Sequence, residues 1–137
     1  MPMKVLVACE FSGVVREAFR KRGHDAWSCD LLPAEDGSTF HRQQDVFELL
    51  AADPNWDMMI FFWPCTNMAV SGARWFREKR EAQARDVECF ARLAEWPTIP
   101  RIAGENPIGV LSTRYRKPDQ IIQPWMFGHG ETKATCI

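Results

Sequence analysis

Two short stretches hold the residues best suited to covalent chemistry. Cys65 follows Trp63-Pro64 at the end of an apolar run, with Thr66, Asn67, Ser71 and Gly72 after it. A cysteine in such a turn can be exposed and activated as a nucleophile. Glu105-Asn106-Pro107 follows a second apolar run. If the strands ending at Phe62 and Ala103 are neighbours, about 5 Å apart, Cys65 and Glu105 open into one cleft. A nucleophilic thiol beside a carboxyl group is a catalytic pair. A third stretch, Glu10-Phe11-Ser12-Gly13, is a small-residue turn between an apolar run and a helical pattern. Such a turn at a helix N-terminus suits a nucleotide-like ligand. It carries a single glycine, so a pyrophosphate seat of the G-x-G-x-x-G kind is not indicated. Asp30 ends the next strand, where α/β nucleotide sites place an acid for ribose hydroxyls. The histidines at 24, 41 and 129 are too scattered for a metal site.

The elements that must position these residues can be read from hydrophobic patterning. Lys4–Ala8 is a short apolar run, consistent with a buried strand. Val14–Arg22 places Val14, Val15, Ala18 and Phe19 on one face, with Arg16, Glu17, Arg20 and Lys21 opposite, which predicts a helix. Gly23 sits where a C-cap glycine belongs. His24–Asp30 reads as a second strand. Leu31–His41, with Pro33, Asp36-Gly37 and Ser38, reads as a loop. Asp45 is placed to cap a helix through Ala52. Trp56–Phe62 is the clearest buried strand. Arg74–Glu95 mixes charged and apolar residues at helical spacing, and Ile99–Ala103 is another strand. The chain after Gly109 is loop-like until Thr132–Ile137, which looks like the start of a strand.

Alternating strands and helices predict an α/β fold with a mostly parallel sheet. Lys4–Ala8 and Trp56–Phe62 are its expected adjacent central strands. Right-handed crossovers then bring ligand sites to the carboxyl ends of the strands. That edge collects Glu10–Gly13, Asp30, Pro64-Cys65-Thr66 and Glu105-Asn106.

Composition narrows the function classes. The 137 residues are 46% apolar and 26% charged, which excludes a disordered or low-complexity chain. The net charge of −1 argues against a polybasic membrane or histone-like protein. No apolar run reaches the roughly 18 residues that span a bilayer, so no membrane partner is expected. Five cysteines without a C-x-x-C pair argue against a disulfide scaffold or zinc ribbon and point to a reducing cytoplasm. Arg114-Tyr115-Arg116-Lys117 is a compact basic cluster with an aromatic, suited to phosphates and stacking.

Taken in order, Ala8-Cys9-Glu10-Phe11-Ser12-Gly13, Trp27-Ser28-Cys29-Asp30, Pro64-Cys65-Thr66, Glu105-Asn106-Pro107 and Phe127-Gly128-His129 resemble the motifs of DNA cytosine-5 methyltransferases. The nearest likeness is to small phage- and prophage-associated methylase-like proteins. It covers nearly the whole chain. The resemblance implies a Rossmann-like three-layer sandwich of the S-adenosylmethionine-dependent methyltransferase type. It implies one C-terminally minimal domain over 1–137, without a separate target-recognition domain.

The same resemblance implies roles. Glu10, Phe11, Ser12 and Gly13 would line S-adenosyl-L-methionine, with Asp30 on its ribose and Asp45 near its adenine. Cys65, in the setting of Pro64, would attack carbon 6 of a flipped-out cytosine. Glu105, with Asn106 beside it, would bind and protonate the ring nitrogen. Protonation offsets the charge that thiolate addition creates. DNA is the implied partner, contacted by Arg114, Arg116, Lys117 and Lys133, with a homodimer or partner subunit supplying target recognition. Trp63 stands where the family usually has proline. That departure supports an alternative: a lapsed methylase fold that binds DNA, a nucleotide or a protein without turnover.

Overall fold

A computed structural model describes residues 2–64, 80–107, 115, 117, 119–122 and 135–137. In chain order the elements are β1 (Lys4–Ala8), α1 (Val14–Lys21), β2 (Asp25–Asp30), β3 (His41–Gln43), α2 (Val46–Ala52) and β4 (Met58–Phe61). They continue with α3 (Arg80–Ala94), β5 (Arg101–Gly104), β6 (Asn106–Pro107), β7 (Ile121–Ile122) and β8 (Thr135–Cys136). The chain divides into two compact units. One comprises Met1–Phe62 and Glu95–Ala103, the other Trp63–Ala94 and Gly104–Ile137.

The first unit is built on a five-stranded, all-parallel sheet in the order β3-β2-β1-β4-β5. This is the expected α/β class, and β1 and β4 are adjacent as the two apolar runs predict. Ala8 stands opposite Cys29 of β2 on one side and Phe61 of β4 on the other. Val5, Leu6, Val7 and Ala8 are each 0% exposed. A strand covered on both faces needs no polar alternation, which is why its sequence is a continuous apolar run.

Val5, Val7 and Ala26 form one side of the core, with Val15 and Phe19 of α1 packed on them together with Met3, Met58 and Phe62. Burying one such side chain contributes about 1.5–3 kcal/mol. The end of α1 has a specific cause. Gly23 takes φ 87°. Its N–H bonds the Arg20 carbonyl at 3.0 Å, and the His24 N–H bonds that of Phe19 at 3.2 Å. These are the two bonds of a Schellman C-cap. At the start of α2, Asp45 Oδ1 accepts the N–H of Phe47 at 2.8 Å and of Glu48 at 3.4 Å, the cap its position predicts.

Two expectations are corrected. The helix α1 does not carry Val14 on its buried face and Arg16 on its solvent face: Val14 is 71% exposed and Arg16 is 0% exposed. Arg16 tolerates burial because three oxygen-bearing side chains meet it, as set out below. The loop read over Leu31–His41 ends in a strand, β3, which pairs in parallel with the end of β2. His41-Arg42-Gln43 has no apolar residue to announce it, and its pairing to β2 comes from the sheet edge.

The second unit contains α3 and a small antiparallel sheet in the order β6-β8-β7. The described α3 begins at Arg80, and 74–79 of the expected helix lie outside the described residues. Among the described residues no helix is long and apolar enough to cross a membrane.

Candidate functional site

The strand order turns back at β1: the chain runs outward to β2 and β3, then returns to the other side of β1 with β4 and β5. Open α/β sheets hold ligands outside the carboxyl ends of the strands at such a reversal. A cleft of about 340 Å³ lies there. It is lined by Cys9, Glu10, Phe11 and Ser12 of the turn, by Val14 and Val15 of α1, and by Phe62 just beyond β4.

Local backbone chemistry sets the turn. Cys9 takes φ 59°, a left-handed conformation uncommon for a residue with a side chain. The Glu10 N–H then bonds the Cys29 carbonyl at 3.2 Å, carrying the β1–β2 pairing past the end of the strand. Ser12 Oγ accepts the N–H of Val14 at 3.3 Å. Gly13 is the N-cap of α1 at φ 81°.

Glu10 is 8% exposed, and its Oε1 has no hydrogen-bond partner among the described residues. Burial pushes its carboxyl above the usual carboxylate range. The backbone N–H groups of Arg16, Val15 and Gly13 and the Arg16 charge pull the other way. The turn therefore already holds a carboxyl group of its own at the start of α1, with an acceptor oxygen to spare.

Behind the turn lies a network the sequence reading missed. Arg16 Nη1 donates to Ser28 Oγ at 2.7 Å, Nε donates to Glu17 Oε1 at 3.1 Å, and Nη2 pairs with Asp36 Oδ2. His41 Nε2 faces the Leu32 carbonyl oxygen at 2.9 Å, so that nitrogen carries the proton. Its Nδ1 lies 2.7 Å from Ser28 Oγ, and the serine oxygen accepts from Arg16. The available signal was Ser28, a polar residue at an inward-facing strand position, 0% exposed beside Val7.

Of the residues singled out in the sequence, Glu10–Gly13 and Asp30 reach the same edge of the sheet. Asp30 closes β2, and its Oδ1 accepts the Leu32 N–H at 2.9 Å. Gly13 does not line the cleft; its side-chain space faces Arg16 and Asp36. Asp45 is engaged as the cap of α2.

The remaining expected site residues fall in the second unit. Cys65, Arg114, Arg116 and Lys133 lie outside the described residues, so the expected pairing of Cys65 with Glu105 does too. Pro64 and Lys117 are exposed, and Glu105 is half-buried. Asn106 is 5% exposed and begins β6. Trp63 is half-buried, and its indole N–H donates to Asp86 Oδ1 of α3 at 3.1 Å.

The chain matches no family model and no curated protein. An acceptor carboxyl, a hydroxyl and four apolar walls can hold a small ligand that combines a cationic or hydrogen-bond-donating group with apolar surface. A phosphate is disfavoured, since the Glu10 carboxyl already stands at the N-terminus of α1.

Proposed function

We propose that the chain is an S-adenosylmethionine-dependent DNA methyltransferase that methylates carbon 5 of cytosine, on a Rossmann-like fold of the methyltransferase type. One observation carries the reading: the cleft at the strand-order reversal is lined by Glu10, Phe11 and Ser12, three of the six residues that the resemblance assigns to the cofactor. Its volume falls in the range of small-ligand sites. The unpartnered Glu10 Oε1 suits the ammonium group of S-adenosylmethionine, and Phe11, Val14, Val15 and Phe62 suit its apolar surface. Asp30, which closes β2 but does not line that cleft, would take the ribose hydroxyls.

In this reading the bound cofactor supplies an electrophilic methyl group. The chain's own residues make the acceptor carbon reactive. Cys65, as thiolate, adds to carbon 6 of a base taken out of the stack. Glu105 donates a proton to the ring nitrogen, which keeps the added electron pair from building a bare negative charge. Carbon 5 would then be the methyl acceptor. Loss of its proton to a base, breakage of the Cys65–carbon 6 bond and return of the ring-nitrogen proton to Glu105 would restore the ring and free the thiolate. Arg114, Arg116, Lys117 and Lys133 would bind DNA phosphates.

The test is trapping on an oligonucleotide that carries 5-fluorocytosine, with S-adenosylmethionine present. Fluorine on carbon 5 blocks the proton loss that releases the enzyme, so a working thiol stays linked to DNA. The wild type is expected to give a shifted band and Cys65→Ser none. Normal methylation by Cys65→Ser overturns the mechanism. A wild type that binds cofactor or DNA but neither traps nor methylates establishes the second reading, a binding module without turnover. Trp63 favours that second reading, because a bulky indole held by Asp86 replaces the family's proline.

A further inference from the structure

The Arg16 network joins two segments that have no backbone pairing in the sheet between them: the turn that lines the cleft and the connection from β2 to β3. Arg16 reaches Asp36 of that connection with Nη2 and Ser28 of β2 with Nη1. Asp36 Oδ1 in turn accepts the Ser38 N–H at 3.1 Å, which shapes the connection around the ion pair. Glu35, next to Asp36, donates its N–H to the Phe11 carbonyl at 2.8 Å. Ser28 and His41 continue the chain of hydrogen bonds to the Leu32 carbonyl, where the connection begins.

The turn closes tightly on this network. A Cβ on Gly13 would stand 2.5 Å from Arg16 Nη2 and 2.7 Å from Asp36 Oδ2. The Gly13 carbonyl accepts the Glu17 N–H at 2.9 Å, so the turn and α1 move together. Arg16 does not line the cleft. A guanidinium is charged at every working pH and presents its donors in a fixed plane. Buried and held on three oxygens, it fixes the distance between whatever carries those oxygens.

We infer that Arg16 is a positioning residue: through Asp36 and Ser28 it fixes the Phe11–Gly13 turn against the β2–β3 connection and so sets the shape of the ligand cleft. The inference rests on the reading of that cleft as the cofactor site only for the choice of ligand. It assigns to Arg16 and Asp36 an effect on affinity without contact with the ligand.

The test uses the full chain as wild type, Asp36→Asn, Arg16→Lys and the double variant. S-adenosylhomocysteine affinity is measured by calorimetry, thermal midpoint by scanning calorimetry, and amide exchange by mass spectrometry. Asp36 is partly exposed, so Asp36→Asn keeps the fold even if Arg16→Lys does not. Each single variant is expected to weaken binding about three- to tenfold. The double variant should lose no more than the worse single, because both changes release the same bolt. A lowered thermal midpoint with unchanged affinity shows a purely structural role and overturns the inference, as do additive losses. If the wild type does not bind S-adenosylhomocysteine, the cofactor reading fails and exchange decides alone. Asp36→Asn should then speed exchange of the Glu35 and Glu17 amides, and unaltered exchange at both overturns the inference.

Discussion

The guanidinium of Arg16 fills the space that a side chain at Gly13 would need, with Nη2 standing 2.5 Å from the position of a Gly13 Cβ. Gly13 is also left-handed, at φ +81°, so two separate demands meet at one residue. The relationship explains why a single glycine suffices in this turn. It serves the protein's own arginine and leaves the cleft to its neighbours.

Gly13→Ala should therefore cost more than Gly23→Ala. Gly23 has a similar φ of +87° but nothing within 4 Å of a Cβ, so alanine there meets only the backbone penalty of about 1–2 kcal/mol. Alanine at Gly13 must in addition push aside the ends of the Arg16 and Asp36 side chains, of which the first is fully buried. The total should be about 2–3 kcal/mol. Urea denaturation of both variants measures the difference, and equal losses would mean that Arg16 yields freely.

Two carboxyl groups of this region should act on stability with opposite signs. The Asp36 carboxyl is held below its ordinary value, first by the Ser38 N–H and further by Arg16. Its contribution is present above about pH 3.8 and lost as pH falls below that value. Glu10 is shifted upward by burial, so the folded state holds its proton more tightly than the unfolded state. Stability from that group is full below about pH 4.5 and is lost as pH rises through the folded value. Glu10→Gln should remove the second dependence and raise the urea midpoint at neutral pH. A lowered midpoint with unchanged pH dependence would show that burial does not govern the Glu10 carboxyl.

Cys29 should resist alkylation until the protein unfolds. Burial first, then the charges of Asp30 and Asp45, push its thiol up to about 12 from 9.0. Its Sγ donates to the Gln44 carbonyl at 3.3 Å. At pH 8 the thiolate fraction is then about a thousandfold below that of an ordinary thiol of pKa 9.0. Iodoacetamide with peptide mass spectrometry should find Cys29 unlabelled in the native protein and labelled in urea. The same shift means that stability falls as pH rises from 9.0 towards 12.

If S-adenosylmethionine binds as proposed, with its ribose on Asp30, Asp30→Ala should weaken its binding about ten- to a hundredfold, since losing a charge-assisted hydrogen bond costs about 1.5–3 kcal/mol. The same change removes the acceptor of the Leu32 N–H. Asp30→Asn keeps an acceptor for that amide, so it separates the two effects. Calorimetry reads both, and unchanged affinity in Asp30→Ala takes this residue out of the site.

What could be read from the sequence was local or periodic. Lys4–Ala8 announces a strand buried on both faces, and Gly23 and Asp45 announce caps because capping depends on neighbours a few residues away. The edge that gathers Glu10, Ser12 and Asp30 follows from strand alternation alone. Arg16 could not be placed this way. Its helical neighbours Glu17 and Arg20 suggest a wet face, and the groups that make burial tolerable, Ser28 and Asp36, come from other segments. Val14 fails for the reverse reason: the cleft beside it leaves an apolar residue uncovered. β3 carries no apolar pattern and exists through its partner strand.

The contact between positions 13 and 16 also bears on descent. A lineage that gains a side chain at Gly13 crowds the seat of Arg16, and one that loses Arg16 takes the guanidinium away from Asp36 and Ser28. Single steps away from this arrangement disturb a buried guanidinium, whereas a joint replacement by well-packed apolar groups can be neutral. Glycine, arginine, serine and aspartate at 13, 16, 28 and 36 should thus be inherited as a block, kept together in one branch of descendants and exchanged together in another.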